Sequence, residues 1–123
     1  MTGMADRLLV KVTCGTDDPE RSNQAFTVAS AAVAAGASVS LWLTGEAAWF
    51  AVEGRTPDLG LPHATPVADL LAVVRDAGQV TLCTQCAARR NIGEADVLPG
   101  VRVAGAAVFV EEALSDGTQA LVY

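Results

Sequence analysis

Five apolar, largely β-branched runs punctuate this 123-residue chain, and the segments between them carry helix signals. Arg7–Cys14, Ser38–Leu43, Val80–Cys83, Val101–Val103 and Thr118–Val122 read as strands. Asp18 followed by Pro19 is an N-cap and first helical position. Ala25, Phe26, Ala29, Ala32 and Val33 then recur at helical spacing, and Gly36 supplies the stop. Thr44-Gly45-Glu46 opens a short helix carrying Trp49, Phe50 and Val52, and residues 55–65, with Pro57, Gly60 and Pro62, form a loop. Thr65-Pro66 starts a helix striped by Val67, Leu70, Leu71 and Val74 and ended by Gly78; a further helix runs from Ala106 to Leu114. Strands alternating with helices predict an α/β fold. It is a single-domain three-layer sandwich over residues 1–123, with a mostly parallel sheet of about five strands and helices on both faces. Such a sheet gathers its strand carboxyl ends on one edge, where ligands bind in open α/β folds. Cys14, Cys83 and the Thr44-Gly45 turn all fall on that edge.

The third strand delivers Cys83, and Cys86 follows three residues later at the start of a helix-compatible segment containing Arg89 and Arg90. The first N–H groups of a helix lack internal partners and its dipole is positive there. Both stabilise a thiolate and pull its pKa below the free value of about 8.5. Cys83 is therefore the candidate nucleophile. Cys86 either resolves a modified Cys83 or packs one turn into the helix. Cys14 shares the edge, or is a core thiol at a strand end. Adjacent arginines project about 100° apart on a helix, so only one of Arg89 and Arg90 faces the site.

Cys14, Cys83 and Cys86 with His63 make a Cys3His set by count, but a second CxxC pair is missing and the four come from distant loops; no metal is predicted. Gly15-Thr16 lacks the phosphate-loop pattern, and Asp17 and Asp18 would repel phosphate; no cofactor is predicted. An odd number of cysteines is not a disulfide framework.

Only 18% of residues are charged while 51% are hydrophobic, which leaves little charge to cover a small domain. That composition predicts apolar surface buried against another subunit; Trp49 and Phe50 are suited to internal packing or to such a contact rather than to stacking on a substrate. The net charge is −6 and there is no basic cluster beyond Arg89-Arg90, which argues against direct nucleic-acid binding. No run reaches the ~20 apolar residues of a membrane span. Met1–Arg7 shows no leader pattern, so the expected location is cytoplasmic.

The chain resembles the DsrE/DsrF-like proteins, which include sulfur-relay subunits of the Dsr and Tus systems. The resemblance covers nearly the whole chain. It rests on Val10-Lys11-Val12-Thr13-Cys14-Gly15, the helix after Asp18-Pro19, Leu41-Trp42-Leu43 with its turn, and above all Leu82-Cys83-Thr84-Gln85-Cys86 followed by Arg89-Arg90-Asn91-Ile92. It implies a reactive cysteine at Cys83 that carries sulfur as a persulfide, and a trimer or hexamer, sometimes of mixed subunits. Sulfur-donor and sulfur-acceptor proteins are the implied partners. Cys86 is found in some members and absent from others. Asn91 stands where many members have glycine, and asparagine also tolerates left-handed geometry.

Three functions compete. One is a sulfurtransferase-type persulfide carrier using Cys83, with Cys14, Gly15, Thr44, Arg89 and Arg90 as surrounding candidates. The second is a thiol–disulfide redox protein using Cys83 and Cys86, although Thr84-Gln85 lacks the aromatic and proline context of thioredoxin sites. The third is a non-enzymatic oligomeric module with structural or metal-binding cysteines.

Overall fold

Local signals in the chain set most of the element boundaries. A computed structural model describes residues 5–123; of the Met1–Arg7 stretch read for a leader pattern, residues 1–4 lie outside the described residues. Strand β1 (Arg7–Val12) is followed by helix α1 (Pro19–Ala34), β2 (Ser38–Leu43) and a 3-10 helix, Gly45–Ala51. Then come α2 (Val67–Ala77), β3 (Gln79–Cys83), α3 (Thr84–Arg89), a 3-10 turn at Glu94–Asp96, β4 (Arg102–Ala104), α4 (Ala106–Ala113) and β5 (Thr118–Val122). The Asp18 side chain accepts the Arg21 N–H at the start of α1, with Pro19 behind it. Gly36, just past that helix, has φ +89°, a conformation glycine adopts without strain.

The five strands lie in the order β4-β3-β2-β1-β5. Every neighbouring pair is parallel. The α/β architecture expected from the sequence is therefore the observed one. Strand periodicity divides the side chains between two faces. Val10, Val12, Val39, Leu41, Leu43, Val80 and Leu82 point to one face and join Phe26, Ala29, Leu71 and Val74 from α1 and α2. Phe50 completes this core, its ring meeting Phe26 edge-on at 4.9 Å. Fully burying such side chains is worth about 1.5–3 kcal/mol each. Phe50 thus takes the packing role of the two that the sequence left open, and is not free for a subunit contact.

The opposite face carries Leu9, Lys11, Ser40, Trp42, Thr81 and Cys83, and α4 lies across it. Trp42 packs edge-on against Phe109 of α4 at 5.4 Å. Glu112 of α4 accepts hydrogen bonds from Ser40 Oγ, Trp42 Nε1 and Arg102, and Arg102 also donates to Thr81 Oγ1. Burial pushes the Glu112 carboxyl up, but the hydrogen bonds from Ser40, Arg102 and Trp42 outweigh it and hold the group below the usual glutamate range. This charged clasp fastens a helix that has no fully buried residue of its own.

Two boundaries differ from expectation. β1 stops at Val12 rather than Cys14: the Thr13 N–H and hydroxyl both donate to the Tyr123 carbonyl as a last rung beside β5, and the chain then turns. The Thr44-Gly45-Glu46 helix is 3-10, not α, and starts at a glycine with φ +53°. No helix among the described residues is long and apolar enough to cross a membrane.

Candidate functional site: a paired thiol at the carboxyl edge of the sheet

Cys83 is the last residue of β3 and the N-cap of α3. Its side chain is half-buried and opens onto a cavity of about 230 Å³, lined by Lys11, Trp42, Thr44, Gln85, Ala106, Phe109 and Val110. Three strands and α4 thus enclose one thiol. α3 is only six residues long, so the helix dipole is a small contributor; individual hydrogen bonds carry the effect.

Burial pushes the Cys83 thiol up. The Cys86 backbone N–H, the Cys86 thiol, the Gln85 backbone N–H and the charge of Lys11 together outweigh it and bring the group below the ordinary cysteine value. The partner thiol behaves oppositely. Cys86 is 7% exposed, and burial raises its pKa; the Gly45 N–H, 3.1 Å from its sulfur, and the Arg90 charge oppose this, while Cys83 reinforces it. The surroundings thus favour the thiolate on Cys83 and the protonated thiol on the buried Cys86. Surroundings that drive two thiol pKa values apart suit one thiol to nucleophilic attack and the other to keeping its proton.

Among the other predicted residues, Thr44 lines the cavity and is pinned by its hydroxyl to the Val12 carbonyl at 3.1 Å. Cys14, Gly15, Arg89 and Arg90 do not line it. Cys14 is 5% exposed in the core beyond β1, where burial, then Asp18 and Asp17, raise its pKa against the pull of Arg21. Gly15 sits so close to the Glu46 carbonyl that a Cβ there would come within 2.8 Å of the oxygen. Arg89 is exposed. Arg90 turns away, donating to the Cys86 carbonyl at 3.2 Å and pairing with Glu46 at 3.0 Å. It braces the helix that carries Cys86. Asn91 follows with φ +54°, in the left-handed region that its amide side chain tolerates. His63 lies in an exposed loop, and among the described residues no group of three His, Cys, Asp or Glu side chains is placed to hold a metal ion.

Lys11, Trp42, Gln85 and Phe109 were not singled out as site residues from sequence. The available signal was alternation: a lysine in an otherwise apolar strand, two positions from Leu9, belongs to the face opposite Val10 and Val12. A larger cavity of about 360 Å³ opens at the other end of the strands between Arg7, Ser38, Gln79 and Arg102, and no thiol reaches it.

The division of the thiols sets an order of reactivity. Alkylation at neutral pH is expected to modify Cys83 first and Cys14 and Cys86 far more slowly, because only Cys83 has its thiolate favoured. Peptide mapping after brief iodoacetamide treatment checks this; Cys14 reacting ahead of Cys83 would contradict it.

The family model described as the DsrE/DsrF-like family matches residues 6–123. No curated protein matches the chain. Among solved structures, the ychN protein from E. coli is 18% identical with a TM-score of 0.79, covering 98% of this chain and 100% of that one. MTH1491 from Methanobacterium thermoautotrophicum, a protein of unknown function, is 12% identical with a TM-score of 0.69, covering 95% of this chain and 98% of that one. At these identities the likeness is one of fold.

Proposed function

This chain belongs to the DsrE/DsrF-like family, and we propose that it acts in sulfur relay, carrying sulfur as a persulfide on Cys83 and passing it to an acceptor thiol. The observation that carries this reading is a half-buried cysteine facing a partly apolar cavity, with its pKa lowered while that of the neighbouring thiol is raised. The Cys83 thiolate attacks the outer sulfur of a donor persulfide. A new S–S bond forms on Cys83, the donor's S–S bond breaks, and the donor leaves as a thiolate. Transfer reverses the sense: an acceptor thiolate takes the outer sulfur and Cys83 leaves as thiolate. The partners are then sulfur-donor and sulfur-acceptor proteins.

The opposite shifts that the two thiols impose on each other favour a second reading, a thiol–disulfide redox protein using Cys83 and Cys86. The two readings meet in one reaction. A Cys86 thiolate attacking the inner sulfur of a Cys83 persulfide would expel HS⁻ and close a disulfide. Intact mass after incubation with a persulfide donor tests the carrier reading: one added sulfur atom, located on Cys83, is expected. Cys86→Ser should load equally and keep its sulfur longer once donor is removed. Equal sulfide release from both proteins would make Cys86 scaffold only.

We also propose a homo-oligomer, a trimer or a hexamer of two trimers. Leu114 is 80% exposed, Val122 63% and Val110 50%, all on the α4 and β5 side of the sheet. Such side chains favour a partner surface. Sedimentation should find no monomer at micromolar concentration; a monomer there would refute the assembly.

A further inference from the structure

We propose that Lys11 is the group that holds the outer sulfur once Cys83 is loaded, and that it protects this cargo from Cys86. The inference rests on the carrier reading above and adds a residue that reading does not use. β1 and β2 are in register with Lys11 opposite Trp42, and Trp42 lies opposite Thr81 of β3. Cys83 is two residues further along β3, so Lys11 and Cys83 project from the same face. Both line the 230 Å³ cavity, in which, among the described residues, Lys11 is the one charged side chain of the lining. The others come uncharged from β2 (Trp42, and Thr44 just beyond it), α3 (Gln85) and α4 (Ala106, Phe109, Val110). The nearby Arg102 and Glu112 are paired with each other.

The Lys11 ammonium does not swing freely to solvent. It stands 5.1 Å from the centroid of the Phe109 ring, whose face attracts a cation. Its stem runs over the sheet while its head stays at the cavity wall.

Loading changes which groups matter. The Gln85 and Cys86 N–H groups serve the Cys83 sulfur itself. A persulfide moves the charge to a second sulfur, roughly 2 Å further out along the new S–S bond. That atom leaves the backbone donors behind and enters the cavity, where Lys11 is the cation that meets it. The anionic persulfide resists Cys86, because attack on its inner sulfur would have to expel a doubly charged sulfide. Only the protonated persulfide, Cys83–S–SH, lets the Cys86 thiolate close the disulfide and expel HS⁻. An opposite charge within ~4–6 Å shifts a pKa by about one unit or more, and one unit is a tenfold change in the protonated fraction. Lys11 thereby sets how long sulfur stays on the protein.

The test loads the full chain and its variants with a low-molecular-weight alkyl persulfide, removes the donor, and follows sulfide release and intact mass at neutral pH. Lys11→Met should release sulfide about tenfold faster than the parent protein and accumulate the Cys83–Cys86 disulfide. Lys11→Arg, which keeps the charge, should release at close to the parent rate, and adding Cys86→Ser to Lys11→Met should abolish the acceleration. Lys11→Gln serves as a second neutral variant should methionine disturb the packing. A parent protein that loads while both neutral variants release at its rate overturns the role of Lys11 and leaves the carrier reading standing. Lys11→Arg releasing as fast as Lys11→Met, or the double variant staying fast, also overturns it. A parent protein that does not load on Cys83 removes the carrier reading and this inference together.

Discussion

Cys83→Ser is expected to abolish sulfur loading completely while leaving the fold in place. Serine is close in size to cysteine, and position 83 is half-buried at the end of a strand, so the change in stability should stay within about 1 kcal/mol. The chemistry, by contrast, has no substitute. A serine hydroxyl is not ionised at neutral pH, and it forms no persulfide. The two remaining thiols are both buried and both have raised pKa values. Mass spectrometry of the serine variant after donor treatment should find no added sulfur, alongside an unchanged melting transition. Sulfur appearing on Cys14 or Cys86 in that variant would reassign the site.

The second large effect is expected at Gly45. Its φ of +53° already disfavours any side chain, and a Cβ built there would lie 2.4 Å from the Thr13 carbonyl oxygen. That oxygen belongs to the backbone leaving β1, so no side-chain rotation relieves the clash. The same residue donates its N–H to the Cys86 sulfur. Gly45→Ala should therefore cost about 3 kcal/mol and loosen the environment of Cys86. Gly54 is the matched control: φ is +73° but nothing lies within 4 Å of its Cβ position, so Gly54→Ala should cost only about 1 kcal/mol of conformational strain. Thermal melts of the two variants separate these contributions. Equal losses would mean that the close approach of the Thr13 carbonyl is not what confines position 45.

The boundaries of α1, β2 and α2 were legible because their signals are local. Asp18-Pro19, Gly36, Pro66 and Gly78 act through the two or three residues beside them. The end of β1 was not legible, because its last rung, from Thr13 to the Tyr123 carbonyl, is made with a partner 110 residues away. The same holds around the thiol. The CxxC segment and its strand end were visible, and the family resemblance was carried by them. Which arginine braces α3 depended on Glu46, a residue 44 positions from Arg90. Lys11 was visible only as a charge inside an apolar strand. Its place in the Cys83 cavity is a product of strand register across β1, β2 and β3, which no single segment encodes.

The order β4-β3-β2-β1-β5 has a kinetic consequence. β1 pairs with β2 across one helix, but its other edge is filled by β5, which brings Thr13 and Tyr123 together over 110 residues of chain. Closing a loop of that length costs about 4 kcal/mol in chain entropy, more than the short crossovers demand, so this pairing is favoured late in folding. The Tyr123 N–H is bonded to the Lys11 carbonyl. The strand that carries the cavity's cation is thus bounded on its outer edge by the pairing of greatest sequence separation. Pairing of β1, β2 and β3 alone already sets Lys11 and Cys83 on one face of the sheet, so the cation and the thiol share a face before β5 closes the far edge.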